Sequence, residues 1–124
     1  MPQGTFKIIQ IAAQEGRGVV ALKGNFTIRY AKEAFFTLLE FFNKFDALAL
    51  DLSGIESIDS AGFQVLLVLK KESEAQQKKV KLIRHSAPVV DMIELYGAMG
   101  LFRDKIVVAQ NNRFRYGREI QHFT

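Results

Sequence analysis

The chain has 124 residues, 48% of them hydrophobic and 24% charged, with a net charge of +4 at neutral pH. That is one ordinary domain with enough apolar content for a core, which excludes wholesale disorder. The absence of cysteine excludes disulfides and thiolate metal sites, and so modest a positive charge marks solubility rather than nucleic-acid binding. Met1-Pro2-Gln3-Gly4 leads straight into Phe6-Lys7-Ile8-Ile9 with no signal-like apolar stretch. No apolar run approaches the roughly 20 residues that span a bilayer. A cytoplasmic protein without membrane insertion is expected.

In chain order, residues 6–12 and 18–23 read as short strands. The polar, glycine-containing gap Gln14-Glu15-Gly16-Arg17-Gly18 suggests a tight turn between them. Gly24-Asn25 reads as the end of the second strand. Residues 30–45 form the clearest helix, with Phe35, Leu38, Leu39 and Phe42 at i, i+3, i+4, i+7. Phe36, Phe41 and Phe45 fall off that stripe, so these rings either reach a second packing layer or meet a partner. In the strand at 47–52, Leu48, Leu50 and Leu52 alternate with Ala47, Ala49 and Asp51. One sheet face is thus bulky and helix-covered, the other thin. A second helix runs from about 60 to 78 on a stripe of Gly62, Val65, Leu66 and Leu69, followed by a strand at 80–84. Pro88 opens a third helix, where its missing N–H has no partner to lose. Ile106-Val107-Val108-Ala109 reads as a last strand. The order β-β-α-β-α-β-α-β specifies an α/β fold with mainly parallel strands and right-handed crossovers.

The most informative segment joins the third strand to the second helix: Ile55-Glu56-Ser57-Ile58-Asp59-Ser60-Ala61-Gly62. A hydroxyl at a strand-to-helix junction lies near the positive end of a helix dipole and can face solvent, a suitable place for a phosphorylatable serine. The structural alternative is capping, since Asp and Ser are both preferred N-caps. Asp59 alone could cap, which leaves Ser60 redundant in that role. Ser57 and, more weakly, Thr27 are competing acceptors. A serine hydrolase is not expected, because Ile58 stands where Gly-x-Ser-x-Gly needs its first glycine and only half the motif exists. His85, at the end of a strand, reads as an exposed or edge residue rather than a base. No metal-ligand spacing, Walker loop or dinucleotide fingerprint occurs, so neither cofactor nor metal is expected. Residues 110–124 interleave Arg113, Arg115 and Arg118 with Phe114, Tyr116, Ile120 and Phe123. This extension could pack on the thin sheet face, form a homodimer contact, remain partly disordered or, less in keeping with the dispersed charge, touch RNA.

The runs Leu50-Asp51-Leu52-Ser53-Gly54-Ile55 and Ile58-Asp59-Ser60-Ala61-Gly62 resemble the signature of STAS domains, which include the bacterial anti-sigma-factor antagonists. Ser86-Ala87-Pro88-Val89-Val90 and Leu95-Tyr96-Gly97-Ala98-Met99-Gly100-Leu101-Phe102 are similar to the family's second landmark. Leu22-Lys23-Gly24-Asn25-Phe26-Thr27 stands where the family has a Gly-Glu-Leu-Asp turn. The resemblance covers about residues 6–109. It implies a single STAS-like domain over 1–109, a mixed, mostly parallel sheet of about five strands with three or four helices, and a separate extension at 110–124. It also implies a non-enzymatic, phosphorylation-switched interaction module. Ser60 is then the phosphoacceptor, and Asp59, Ser57, Ala61, Gly62, Phe63, Asn25 and Thr27 form the partner-binding surface. The implied partners are a serine kinase that is itself the anti-sigma factor, and a phosphatase. Phe63-Gln64 replaces the family's Leu-Gly, enlarging the surface beside Ser60, while Asn25 and Thr27 make the nearby turn less acidic than usual. The competing implication is an unphosphorylated STAS scaffold in a chemotaxis, stress-signalling or lipid-transport complex.

Overall fold

The computed structural model describes residues 4–98. Strands β1 (Phe6–Gln14) and β2 (Arg17–Phe26) pair antiparallel across Glu15-Gly16, both at positive φ, the two-residue turn whose twist matches paired strands. Helix α1 (Ile28–Lys44), β3 (Ala47–Ile58), α2 (Ser60–Ala75), β4 (Lys79–Ile83) and α3 (Ala87–Ala98) follow. The sheet order is β1-β2-β3-β4, with β2, β3 and β4 parallel, so α1 and α2 are crossover helices. The α/β class and element order agree with the sequence reading. The described residues hold four strands and three helices, where about five strands were expected. The strand predicted at 106–109 and the extension at 110–124 lie outside the described residues.

Period-two alternation places the core. Leu48, Leu50 and Leu52 join Val20, Leu22, Leu38, Phe42, Leu66 and Ile93 in one buried cluster to which all three helices contribute. Burying each such leucine contributes roughly 1.5–3 kcal/mol. Ala47 and Ala49 turn the other way, where among the described residues they cluster with Ile83 and the half-buried Val19. On α1 the buried stripe is Ala31, Ala34, Leu38 and Phe42, so it begins a turn earlier than the phenylalanines suggest. The off-stripe rings divide: Phe45 is buried, Phe41 lies half-buried on the core, and Phe36 is exposed.

Two strands run further than expected. The break predicted at Gly24-Asn25 does not occur. Gly24 adopts φ +104°, open to glycine at little cost, and a shift of register lets β2 continue to Phe26. β3 extends to Ile58 because Gly54, Ile55, Ser57 and Ile58 keep pairing with that prolonged β2. Helix α2 stops at Ala75 rather than 78. Gln77 is left-handed there, with Lys78 N–H on the Ser73 carbonyl and Gln77 N–H on that of Glu74, a closed Schellman end.

Candidate phosphoacceptor junction

The parallel strands deliver their carboxyl ends to one edge of the sheet, where open α/β sheets place their sites. β3 ends at Ile58; Asp59 is the N-cap of α2 and Ser60 its first residue. The Asp59 carboxylate is divided between two helices. Oδ1 accepts the Gly62 N–H at 3.0 Å, capping α2, and Oδ2 accepts the Ile28 N–H at 2.9 Å, at the start of α1. Thr27, the N-cap of α1, makes no side-chain cap bond of its own. One carboxylate thus does for α1 what Thr27 does not, and it faces the positive ends of two helix dipoles.

Ser60 is exposed, and among the described residues its hydroxyl takes no hydrogen bond. Ser57, three residues earlier, is half-buried on β3, and its Oγ donates to Asn25 Oδ1 at 2.6 Å. Asn25 is held in turn by Thr5, whose carbonyl accepts its backbone N–H at 2.8 Å. The structure therefore brings Asn25, Thr27, Ser57, Asp59, Ser60 and the half-buried Ala61 to one corner. It does not bring Gly62 and Phe63 to its surface. Gly62 is buried, and an added Cβ would collide with the Phe26 carbonyl, so the residue serves close helix–strand contact. Phe63 is 0% exposed, with its ring 4.6 Å from that of Tyr96. The larger side chain fills the space beneath α3 and does not enlarge the surface beside Ser60.

Three features of this edge are missing from the sequence reading. Ile28, 74% exposed, stands at the amide held by Asp59, an apolar neighbour to the junction. Its only sequence signal is a bulky apolar residue in a first helical turn. Beyond Ser57, α3 and the end of β3 enclose an open groove that includes Leu95, 52% exposed. Finally, His85 is 7% exposed, not an edge residue, and desolvation lowers its pKa from 6.5 to about 4. Among the described residues no cluster of three or more His, Cys, Asp or Glu could hold a metal. None of the described helices is long and apolar enough to cross a membrane.

A family model described as "Mlab, STAS domain" matches residues 9–107. The chain belongs to the STAS domain family. A search of curated proteins gives no match. Among solved structures, this STAS domain resembles the anti-sigma factor antagonist SpoIIAA in its unphosphorylated form, at 16% identity and a TM-score of 0.57, covering 75% of this chain and 82% of that one. It resembles the Bacillus cell fate determinant SpoIIAA in the phosphorylated form at 17% identity and a TM-score of 0.59, covering 78% and 85%. SLC26A9 matches at 18% identity and a TM-score of 0.61, covering 90% of this chain. The STAS domain spans 22% of the SLC26A9 chain and 18% of another match, Mglu. At such identities these likenesses show the fold.

Proposed function

We propose that the domain is a phosphorylation-switched interaction module of the anti-sigma-factor-antagonist kind, with Ser60 as phosphoacceptor. A partner serine kinase, itself the anti-sigma factor, binds the unmodified form. Phosphate on Ser60 releases it, and a phosphatase resets the domain. The observation that carries this reading is the exposure of Ser60 at the first residue of α2, while Ser57 is tied to Asn25. Exposed Ile28 on one side, and Asn25, Thr27 and Ala61 around the corner, supply the rest of the contact surface.

The physical asymmetry favours a switch. A phosphate adds about −1.5 to −2 charges at neutral pH. At a solvated helix N-terminus this contributes roughly 0.3–1 kcal/mol of stabilisation, so the fold tolerates it. In a contact fitted to a neutral hydroxyl, the same charge beside Asp59 is desolvated, and a loss of about 3–4 kcal/mol there weakens binding roughly 10²–10³-fold.

A scaffold reading, in which the domain is a fixed, unphosphorylated part of a larger assembly, is supported by its likeness to a 22% portion of SLC26A9. Intact-mass measurement with the cognate kinase and ATP separates the two. The switch predicts a gain of one phosphate that Ser60→Ala abolishes, and kinase binding weakened by Ser60→Asp at an unchanged melting temperature. If both variants bind as the wild type does and no phosphate is gained, the scaffold reading stands instead.

A further inference from the structure

Helix α3 is apolar on more than its core face. Val89, Ile93 and Tyr96 are buried in the main cluster. Pro88, Met92 and Leu95 repeat at helical spacing on an adjoining face, with Leu95 52% exposed. With Ile58 they line an open groove of about 310 Å³ at the end of β3. The remaining charged lining is acidic: Glu56 and Asp91, both exposed, neither with a cation partner among the described residues. The Ser57 hydroxyl in the same wall is already donated to Asn25.

From this we infer that the groove is a docking site for a basic amphipathic segment of a partner protein. Such a segment seats a bulky aliphatic side chain on Met92 and Leu95 and sets arginine or lysine against Glu56 and Asp91. A helix stripe left apolar beside the core face is expected to be covered. Methionine adapts to side chains of differing shape. Two carboxylates without a cation partner among the described residues favour a cationic occupant and disfavour an acidic one, and guanidinium pairs with each of them in a fixed fork. Partner choice then resides on α3, while Ser60, at the start of α2, governs an adjoining contact that meets the groove at Ser57.

Amide chemical shifts of the isotope-labelled full chain test this. The probe is a short amphipathic peptide of leucine and arginine; its control carries glutamate in place of arginine. The arginine peptide is expected to give saturable shifts at residues 56–58 and 88–95, and the glutamate peptide none. Glu56→Lys with Asp91→Lys should weaken binding at least about tenfold. Leu95→Ser should weaken it with the charges intact, and unchanged melting curves would show both variants folded. Ser60→Asp should not weaken peptide binding, so failure of the Ser60 reading would not touch this result. Equal binding of both peptides, indifference to the charge reversal, or loss of binding in Ser60→Asp would overturn the inference. So would groove signals that move with protein concentration alone, assigning the groove to a second copy. Groove signals that move on deletion of residues 110–124, without response to peptide, would assign it to the chain's own extension and overturn it equally.

Discussion

Two strand-to-helix junctions lie at the same edge of the sheet and treat added charge in opposite ways. Where β3 passes into α2, Ser60 is exposed and the neighbouring carboxylate is already held by two amides. Where β4 passes into α3, His85 is 7% exposed and neutral, its pKa lowered to about 4 by desolvation. A phosphate at the first junction is solvated, whereas a proton at the second brings an ion into the interior. Similar topology therefore gives an exposed hydroxyl in one place and a destabilising protonation in the other. Solvent access makes the difference.

The contrast can be broken most directly with acid. The unfolded chain protonates His85 near 6.5 and the folded chain near 4, so between those values the unfolded state binds more protons. The contribution of neutral His85 is complete above 6.5 and is lost as pH falls toward 4, by about 3 kcal/mol. Urea midpoints of wild type and His85→Gln across this window should show a steeper decline for the wild type. Parallel curves would place His85 in contact with water after all.

Asp59→Ala should cost about 2 kcal/mol, because two helix starts lose their acceptor at once. Asp59→Asn, with one acceptor oxygen, should lose roughly half of that. Both are read from denaturant midpoints. A smaller pair of variants sharpens the first junction itself. Ser57→Ala removes the donor to Asn25 and should cost about 1 kcal/mol. Ser60→Asp, out in solvent, should stay within about 0.5 kcal/mol of wild type. Equal effects of the two would erase the distinction between a serine tied into the fold and one exposed to solvent.

Much of the fold was legible because it rests on local periodicity. The alternation of Leu48, Leu50 and Leu52 with Ala47 and Ala49 marked the helix-covered face correctly. The spacing of Val65, Leu66 and Leu69 marked α2. What escaped depends on partners far away in the chain. Phe63 reads as surface until Tyr96 closes over it. The second oxygen of Asp59 finds its donor in Ile28, 31 residues earlier, which nothing in the motif announces. Gly24 reads as a strand end by propensity, yet its positive φ lets β2 continue, and with it the pairing that extends β3. Asp59 and Ser60 were legible as a junction. Which nearby serine faced outward was decided by the Ser57–Asn25 pairing.

The divided Asp59 carboxylate also bears on what a modification of Ser60 would meet. Its two oxygens occupy the Gly62 and Ile28 amides, so a phosphoryl group arriving on Ser60 would find those donors engaged. Such a group would extend toward solvent from the first turn of α2, where a visiting protein can reach it.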